Sequence, residues 1–512
     1  MNGAEALIRT LADCGVTACF ANPGTSEMHL VSALDHESRI RAVLCLFEGV
    51  ATGAADGFAR ITGGPAMTLL HLGPGYLNGA ANLHNSRRAF SPVINIVGDH
   101  ATHHRRFDAP LTSDIEALVK PLARWTGTVS SPQEAGSQAA TAYAKSCGPP
   151  GGNAFLLLPA DSAWLDGASV APPKERAKSA APSRIEAVAM AIRAAERPAL
   201  LINGTALGEA GLAQAARLNG VGIRILADTF ATRQRRGKEY FAPTRLPYFA
   251  EQALAALEGV DLLVTVGTRD PVAFFAYPGK PSELTPEGTT RLTLGGPEID
   301  SAAALRLLAD AIGAPVPSQP ITTPHPTEPR GELTLDAIAC SLTRHMPTDC
   351  IISDDSVTAG MTVFGQTMGA APHDWLFHTG GAIGQGLPMA IGAAIGAPER
   401  PVIALCGDGA AMYTIQSLWT MAREKLDITV IIFANRMYRI LAIELERTRA
   451  GKPGKTAQSL LSLRDPVIDW VKVAQAQGVV ASRCERAEEF DHELKRVTAL
   501  PGPKLIEAVL SP

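Results

Sequence analysis

The strongest chemical signal in the sequence is an acidic residue between two glycines at the end of an apolar run. Asp408 follows Val402–Cys406 and is flanked by Gly407 and Gly409. Glycines let a backbone approach a phosphate closely, and free N–H groups at a helix start favour its negative charge. A carboxylate beside a diphosphate makes chemical sense when Mg²⁺ lies between them. The alternative is a turn in which Asp408 caps the following helix.

A second candidate ligand, Asn435, follows 27 residues later, at the end of the apolar run Thr429–Phe433. A strand–helix–strand crossover returns the chain to a neighbouring strand, so we expect Asp408 and Asn435 at the same sheet edge. The neutral amide oxygen adds coordination without adding negative charge. Asn is also a common turn residue, but the two residues together favour a magnesium and diphosphate site.

Glu48 is a third residue that could do chemistry. It stands between the apolar run Ala42–Phe47 and a segment rich in small residues, Gly49–Arg60. This position predicts a partly buried carboxylate at the start of a helix, which could exchange a proton with a bound ligand. The alternative is an ordinary Glu in a first helical turn, where the helix dipole favours it.

Several histidines are candidates for proton transfer, because histidine changes its charge near neutral pH. His71 ends the apolar run Ala66–His71, just before Leu-Gly-Pro-Gly, and a histidine at such a place can also be structural. His100, His103 and His104 follow another apolar run, with no fourth metal ligand nearby. We expect a surface or cleft loop there rather than a metal site, and a second proton relay remains open.

Composition narrows the class of protein. The chain has 512 residues, 46% of them hydrophobic and 19% charged, with a net charge of -4. These values give no reason to expect nucleic acid or an anionic membrane as a partner. The one basic run, Arg233–Lys238, is short and isolated. We predict a solvated loop there, or else a contact with an acidic ligand or subunit.

The cysteines and the N-terminal segment indicate in which cellular compartment the protein is located. The eight cysteines are scattered without a C-x-x-C pair, which favours a reducing compartment over a disulfide framework. The N-terminus is typical of a first helical turn rather than of a signal peptide. No apolar stretch reaches the roughly 18 residues that a membrane span needs. We therefore predict a cytoplasmic protein.

Short apolar runs that alternate with helical patterns must position these residues. Proline-rich segments near residues 166–184 and 314–332 interrupt the alternation, because proline at that density blocks both helix and central strand. Apolar runs separated by helices imply parallel strands covered on both faces. This predicts three doubly wound α/β domains, at residues 1–165, 184–314 and 332–512, with ligands at the C-terminal ends of the strands. The predicted strands are Val16–Phe20, Ala42–Phe47, Ala66–His71, Val93–Val97, Ala154–Leu158, Ala199–Asn203, Ile223–Ala227, Leu262–Val266, Arg291–Leu294, Cys350–Ser353, Val402–Cys406, Thr429–Phe433 and Lys504–Val509.

The Gly-Asp-Gly and Asn motifs resemble the signature of enzymes that bind thiamine diphosphate (ThDP). That signature closes on an Asn pair, and here the first Asn of the pair is Ala434. The resemblance implies a pyrimidine-binding, a middle and a pyrophosphate-binding domain in that order. It also implies that Mg²⁺ is bound by Asp408, Asn435 and the main-chain carbonyl of Met437. Residues implied to contact the cofactor in this domain are Gly407, Asp408, Gly409, Ala410, Asn435 and Tyr438.

Two further segments resemble the same family. His378–Pro388 is similar to its glycine-rich loop beneath the cofactor, which includes Gly381. Ile383 falls where the family has the bulky aliphatic residue that bends ThDP. Glu48 with Ala-Asp-Gly-Phe-Ala-Arg downstream looks like the N-terminal module of acetolactate synthases and benzoylformate decarboxylases, which implies that Glu48 hydrogen-bonds and activates the cofactor's aminopyrimidine ring. Because the family builds each site from two subunits, a homodimer or homotetramer is expected.

The substrate side resembles benzoylformate decarboxylase most. Phe20–Glu27 is similar to its substrate loop, with Thr25 as the hydroxyl for the substrate carboxylate, and His71 stands where these decarboxylases have a proton shuttle. Asp270–Tyr277 lacks the second histidine of that family, and Phe275 makes this wall more apolar. Ile440 and Leu441 occupy the other positions expected to shape the pocket.

The resemblance leaves three functions open. The first is decarboxylation of a small 2-oxo acid with ThDP and Mg²⁺. The second is carboligation of two 2-oxo acids, as in acetolactate synthase, and the third is an inactive regulatory paralogue. Acetolactate synthases hold FAD in the middle domain, but Gly204–Gly211 does not match G-x-G-x-x-G and the chain is short for that family. We therefore predict that no FAD binds.

Overall fold

The protein folds around three sheets that have helices packed on their faces. A computed structural model describes residues 1–317, 326–448, 451 and 453–511. The sheets contain six, five and seven strands, and among the described strands every pairing but one is parallel. The α/β class with parallel sheets, predicted from the apolar runs, is confirmed.

The first sheet lies in the N-terminal part of the chain. Its strands are β1 (Ala18–Ala21), β2 (Arg41–Leu44), β3 (Ala66–His71), β4 (Val93–Asp99), β5 (Trp125–Thr128) and β6 (Asn153–Pro159). Its helices are α1 (Gly3–Asp13), α2 (Met28–Asp35), α3 (Glu48–Thr62), α4 (Leu72–Ala89), α5 (Ile115–Val119), α6 (Ala135–Cys147) and α7 (Ala160–Trp164). The strand order is β2-β1-β3-β4-β6-β5, so β3 and β4 lie at the centre.

The middle segment supplies all five strands of the second sheet. Its helices are α8 (Ile185–Ala194), α9 (Glu209–Gly220), α10 (Ala250–Ala256) and α11 (Ser301–Ile312). Its strands are β7 (Pro198–Ile202), β8 (Arg224–Ala227), β9 (Arg233–Arg236), β10 (Thr244–Arg245), β11 (Leu262–Val266) and β12 (Thr290–Gly295). The order in this sheet is β10-β8-β7-β11-β12, which leaves β9 outside it.

The third sheet is the largest. Its strands are β13 (Cys350–Asp355), β14 (His373–Leu376), β15 (Val402–Gly407), β16 (Ile428–Ala434), β17 (Val480–Cys484) and β18 (Lys504–Val509). Its helices are α12 (Leu335–His345), α13 (Thr358–Gln366), α14 (Gly386–Gly396), α15 (Asp408–Ala411), α16 (Ser417–Glu424), α17 (Arg439–Arg447), α18 (Lys455–Leu461), α19 (Trp470–Ala476) and α20 (Ala487–Thr498). The order is β17-β18-β16-β15-β13-β14-β9, so β15 and β16 are central neighbours.

Helix α3 consists largely of small residues and packs directly on α14. A Cβ added at Gly57 would lie 2.1 Å from the carbonyl oxygen of Met389, and one at Gly392 would lie 1.8 Å from that of Ala54. The two backbones therefore touch, which the absence of a side chain on glycine permits. This contact fixes the first sheet against the third within one chain.

The basic run Arg233–Lys238 is not the solvated loop that its charge predicted. Arg233–Arg236 form β9, an edge strand that pairs antiparallel with β14. Arg233 donates two hydrogen bonds of 2.8 and 2.9 Å to the Asp374 carboxylate, and Arg236 is buried with its guanidinium over an aromatic ring. The charged strand is stabilised because β14 supplies the Asp374 carboxylate and α13 supplies the aromatic face of Phe364.

The proline-rich segments contain no helix or strand in their described residues. The chain between α7 and α8 is irregular, as are residues 313–317 and 326–334. Residues 318–325 of the second segment lie outside the described residues. Within the part of the chain that the structure covers, no helix is long and apolar enough to cross a membrane.

Candidate active site

Glu48 is the first residue of α3, directly after the extended residue Phe47. Its side chain is buried, with 6% of the residue surface exposed. Asn78 on α4 donates a hydrogen bond from Nδ2 to Glu48 Oε2 at 2.9 Å. This hydrogen bond orients the carboxylate and leaves Oε1 without a hydrogen bond from the described residues. Asn78 could not be predicted from the sequence, because the pairing depends on how α3 and α4 pack.

His71 ends β3, and a neighbouring carboxylate fixes its ring. Nδ1 of His71 lies 3.0 Å from Glu27 Oε2 and 3.0 Å from Ser26 Oγ. Glu27 is fully buried and accepts hydrogen bonds from the Gly24 N–H at 2.8 Å and from Ser26 Oγ at 2.5 Å. A carboxylate that already accepts from these donors can only accept from the imidazole. The proton of a neutral His71 therefore lies on Nδ1, which leaves Nε2 as its reactive nitrogen.

The position of Glu27 depends on a glycine in the neighbouring strand. His71 and Gly98 are register partners in β3 and β4. A Cβ on Gly98 would lie 1.8 Å from Glu27 Oε1 and 2.7 Å from Ser26 Oγ. The missing side chain is the space that the Glu27 carboxylate occupies. Sequence reasoning missed Glu27, although an acidic residue three positions after Gly24 is a helix-start signature.

Thr25 lies in the same loop but points elsewhere. It is exposed, and its hydroxyl makes no hydrogen bond to any described residue, whereas the adjacent Ser26 hydroxyl reaches both Glu27 and His71. Ser26 is a second hydroxyl at this edge that the sequence pattern did not single out.

Asp408 and Asn435 lie together, at the C-terminal ends of adjacent parallel strands. Gly407 pairs with Phe433 in the register of β15 and β16. The Arg436 N–H donates to Asp408 Oδ2 at 2.6 Å, which joins the two loops. Asn435 Oδ1 accepts from the Met437 N–H at 3.0 Å. The edge therefore gathers a carboxylate, an amide oxygen and main-chain carbonyls, which are the hard oxygen ligands that Mg²⁺ prefers.

The burial of Asp408 adds an electrostatic argument. The residue is 4% exposed, and burial raises the pKa of its carboxyl above the ordinary value. A divalent cation at this position would favour the charged form and lower the pKa again. Gly409, the next residue, packs closely against Tyr438, because a Cβ there would lie 2.3 Å from the Tyr438 ring. Ala410 is buried behind it in α15.

The glycine-rich loop between β14 and α14 lies beside this edge. Gly381 has a φ of +82°, a conformation that favours glycine, and Ile383 is half-buried. Oδ2 of the buried Asp355 accepts hydrogen bonds from the N–H groups of Gly384, Gln385 and Gly386 at 2.8, 2.9 and 3.1 Å. This carboxylate at the end of β13 anchors the C-terminal half of the loop.

Another feature of this edge was missed. Val357, after β13, has a φ of +51°, a region that is strained for a β-branched residue. It directly precedes α13, and β13 is the neighbour of β15 in the sheet. Such strain is frequent at ligand sites, and only the backbone conformation reveals it.

The predicted substrate-wall residues come from two elements. A Cβ on Gly381 would lie 2.9 Å from the Phe274 ring, so Phe274 packs against the glycine-rich loop. The adjacent Phe275 is 53% exposed, with its ring centroid 4.7 Å from that of Phe274. Ile440 is half-buried and Leu441 is 47% exposed on α17, which directly follows Tyr438. An apolar wall therefore borders the Asp408 edge.

The three histidines after β4 lie in a turn. The His100 and His104 rings have centroids 5.4 Å apart, and the side chains of His103 and His104 are exposed. Within the described ranges, no cluster of three or more His, Cys, Asp or Glu residues could hold a metal. The loop that the sequence predicted is confirmed.

The candidate residues form two groups within the chain. Glu48, Asn78, His71 and Glu27 lie at the edge of the first sheet, and Asp408, Asn435 and the glycine-rich loop lie at the edge of the third. Among the residues that the structure covers, no hydrogen bond or ion pair joins Glu48 or His71 to Asp408 or Asn435.

Sequence comparison identifies the family. Residues 1–118 match the family described as thiamine pyrophosphate enzyme, N-terminal TPP binding domain, and residues 358–508 match its C-terminal TPP binding domain. The chain is 49% identical over 514 residues to a protein of Mycobacterium tuberculosis provisionally named acetolactate synthase large subunit IlvX, which covers 100% of this chain and 99% of the relative. It is 28% identical over 535 residues to a benzoylformate decarboxylase of Pseudomonas aeruginosa, which covers 96% of each chain.

A solved structure agrees with these relatives. The ThDP-dependent 4-hydroxybenzoylformate decarboxylase of Rhodococcus jostii RHA1 superposes with a TM-score of 0.88 at 25% identity, and the match covers 100% of this chain and 99% of that one. Similarity thus extends over all three sheets and includes both groups of candidate residues. The chain belongs to the family of thiamine pyrophosphate (ThDP) enzymes.

Proposed function

We propose that the protein uses ThDP and Mg²⁺ to decarboxylate a small 2-oxo acid. The observation that carries this proposal is His71, held by Glu27 so that Nε2 is its reactive nitrogen, at the same sheet edge as Glu48. Histidine is the side chain that most often acts as a general acid or base in enzymes. The names of the benzoylformate and 4-hydroxybenzoylformate decarboxylase relatives support the same reaction.

The residues at the third sheet fit the cofactor's anionic end. Asp408, Asn435 and the Met437 carbonyl would hold Mg²⁺, and the diphosphate would lie against Gly407, Gly409, Ala410 and Tyr438. The donor set is all oxygen, and a cation would relieve the cost of burying the Asp408 carboxylate. Gly381 and Ile383 would support the thiazolium part, and the strained turn at Val357 lies at the same edge.

Each group at the first sheet has a role in this scheme. When bound, ThDP supplies the nucleophilic carbon and holds the electron pair that CO₂ leaves behind. Glu48 would exchange a proton with the aminopyrimidine ring, with Asn78 fixing the carboxylate. His71 would move protons at the substrate, and the Thr25 hydroxyl would donate to the substrate carboxylate. Phe275, Ile440 and Leu441, with Phe274, would contact the apolar part of the substrate.

The assembly that we propose is a homodimer, or a homotetramer made of two such dimers, in which Glu48 of one chain faces Asp408 of another. No hydrogen bond or ion pair between described residues joins Glu48 or His71 to Asp408 or Asn435 within one chain. Large apolar side chains are exposed beside both groups, namely Leu46 and Leu77 near Glu48 and Met412 and Tyr413 near Asp408. Exposed apolar patches of this kind favour a subunit interface.

The proposal is tested by incubating the purified protein with ThDP, Mg²⁺ and a panel of aliphatic and aromatic 2-oxo acids, with measurement of CO₂ and identification of the product. We expect CO₂ and a free aldehyde from at least one acid. Acetolactate from pyruvate without free aldehyde would instead support the carboligase, the function that the name of the M. tuberculosis relative indicates.

The control is Glu48→Gln, which keeps the shape of the side chain. It should lower kcat/KM by about 10²–10⁴-fold, because the proton exchange at the cofactor is lost. A wild-type protein that binds ThDP and releases no CO₂ from any acid would support the inactive paralogue. The cytoplasmic location and the absence of FAD stay predictions.

A further inference from the structure

Helix α4 makes hydrogen bonds to both groups of candidate residues within one chain. It begins directly after His71, and its residue Asn78 orients Glu48. Seven residues further on, about 10 Å along the helix axis, Asn85 meets the glycine-rich loop of the third sheet. The same helix therefore connects the first-sheet edge to the loop expected beneath the cofactor.

Asn85 holds this loop through its side-chain amide and its main chain. Its Nδ2 donates to the Ala382 carbonyl at 2.8 Å, and its Oδ1 accepts from the Ala382 N–H at 3.2 Å. Its main-chain carbonyl accepts from Thr379 Oγ1 at 2.9 Å. Asn85 is fully buried, so water cannot replace these bonds without a rearrangement.

The neighbouring His84 and the fit at Gly380 reinforce the contact. His84 Nε2 lies 3.0 Å from the Gly380 carbonyl oxygen and must donate to it. A Cβ on Gly380 would lie 2.4 Å from Asn85 Oδ1 and 2.9 Å from His84 Cδ2. The loop backbone therefore packs directly against α4 at Gly380 and at Ala382, on both sides of Gly381.

The two halves of the loop have different main anchors, although Asn82 of α4 also donates to the Gly384 carbonyl at 3.4 Å. Asp355, from the third sheet itself, holds residues Gly384–Gly386. The main-chain hydrogen bonds of Gly380 and Ala382 described above go to α4 of the first sheet. The residues around Gly381 and Ile383 thus take their shape from a helix outside their own sheet.

We propose that Asn85, assisted by His84, is a positioning residue that holds the glycine-rich loop of its own chain in the shape that receives ThDP. This inference rests on the proposed function. It adds that each chain's α4 contributes to two cofactor sites, through Asn78 in its N-terminal half and through Asn85 in its C-terminal half.

The first test measures ThDP affinity by calorimetry with saturating Mg²⁺, together with the thermal stability of the cofactor-free protein. Asn85→Ala should weaken ThDP binding at least tenfold and leave kcat at saturating ThDP within twofold of wild type. The matched control is Asn153→Ala, because Asn153 is also buried, donates to the Leu83 carbonyl at 2.9 Å and makes no hydrogen bond to the loop. The control should lose stability but keep its ThDP affinity.

A second pair of variants keeps the test decisive if Asn85→Ala does not fold. His84→Leu removes the donor to Gly380 and should weaken ThDP binding about threefold or more, whereas His84→Gln keeps a donor and should bind like wild type. Equal ThDP affinity in wild type and Asn85→Ala, or in wild type and His84→Leu, would overturn the inference. A wild-type protein that binds no ThDP would instead overturn the proposed function.

A mixed dimer shows which site Asn85 serves. When one chain carries Glu48→Gln and the other Asp408→Ala, the single intact site takes Asp408 from the Glu48→Gln chain. Asn85→Ala in that chain should raise the ThDP concentration for half-maximal activity at least tenfold, and the same change in the Asp408→Ala chain should alter it less than twofold. The reverse pattern would mean that Asn85 acts on the Glu48 group, which contradicts the inference.

Discussion

At the residue scale, the proposed chemistry depends on which nitrogen of His71 carries the proton. Glu27 accepts from the Gly24 N–H and the Ser26 hydroxyl and so presents an acceptor to His71 Nδ1. This arrangement leaves Nε2 available for proton transfer and fixes the plane of the ring. Glu27 is therefore as important to the proposed reaction as the histidine itself.

Glu27→Gln tests this assignment with little change of shape. The amide can offer an N–H to Nδ1 and so favour the other tautomer, with the proton on Nε2. We expect kcat/KM for the best 2-oxo acid to fall by about 10²–10⁴-fold, which is the usual contribution of general acid–base catalysis. ThDP affinity should stay within twofold of wild type, because Glu27 lies at the substrate side. Unchanged kcat/KM across the pH profile would contradict the role given to His71.

The sequence predicted residues that stand at strand ends better than it predicted their partners. Glu48, His71, Asp408 and Asn435 are polar residues at or just after the ends of apolar runs, and parallel strands bring such positions to a common edge. Glu27 and Asn78 were missed because their roles depend on how a loop and a helix pack against other strands. Thr25 and Ser26 are adjacent hydroxyls, and only the fold distinguishes the one that faces His71 from the one that faces solvent.

At the element scale, the register of β3 and β4 makes the site possible. Gly98 lies opposite His71, and its missing side chain leaves the space for the Glu27 carboxylate. The pairing of β15 with β16 brings Asp408 and Asn435 to adjacent strand ends. In both sheets, the positions of the proposed site residues depend on the register of adjacent central strands.

Gly98→Ala tests the first of these registers. The added methyl group would overlap Glu27 Oε1, so the carboxylate must move away from His71. We expect kcat/KM to fall at least tenfold and the free energy of unfolding to fall by about 1–3 kcal/mol, the usual cost of overpacking. Gly220→Ala in α9 is the control, because nothing lies within 4 Å of the added Cβ, and its activity should equal that of wild type. Full activity in Gly98→Ala would contradict the close packing of Glu27.

The elements that the sequence did not predict lie mostly at sheet edges. The predicted strands all coincide with observed strands, but β5, β9, β10, β14 and β17 were missed. β9 and β14 carry charged residues, so neither has the apolar pattern of a buried strand. Their burial depends on the ion pairs between Arg233 and Asp374, which join residues that are distant in sequence. The proposed domain boundaries stay predictions, and β9 crosses them to reach the third sheet.

Burial at the same edge predicts a pH dependence of stability. His373 at the start of β14 is fully buried, and its Nδ1 donates to the Ala371 carbonyl. Burial, aided by the charge of Arg236, lowers its pKa to about 3. Between an unfolded pKa of about 6.5 and this folded value, the unfolded chain binds the extra proton. Stability is therefore retained above about pH 6.5 and lost as the pH falls through this window.

His373→Asn removes this titration and keeps a donor for the Ala371 carbonyl. Between pH 7 and pH 5 the free energy of unfolding of wild type should fall by about 2 kcal/mol more than that of the variant. Denaturant unfolding at the two pH values measures this difference. The control is His492→Asn, at an exposed residue on α20, which should keep the wild-type dependence. Parallel losses in wild type and His373→Asn would show that His373 is not the group responsible.

At the scale of the whole molecule, the proposed site residues of one chain form two groups that no hydrogen bond or ion pair between described residues joins. Glu48 and His71 lie at the first sheet, and Asp408 and Asn435 lie at the third, while α3 and α14 hold the two sheets in a fixed relation through backbone contact. This close packing disfavours a hinge motion between the two sheets within one chain. A second copy related by a closed twofold symmetry would complete two sites at once.

The most direct test of this arrangement mixes two inactive variants, Glu48→Gln and Asp408→Ala, under conditions where subunits exchange. Random pairing makes about half of the dimers mixed, each with one intact site of two. The mixture should therefore recover about a quarter of the wild-type CO₂ release from the best 2-oxo acid, although each variant alone is nearly inactive. If subunits demonstrably exchange and the mixture stays as inactive as its components, Glu48 and Asp408 do not act across chains, and the shared ThDP site is contradicted.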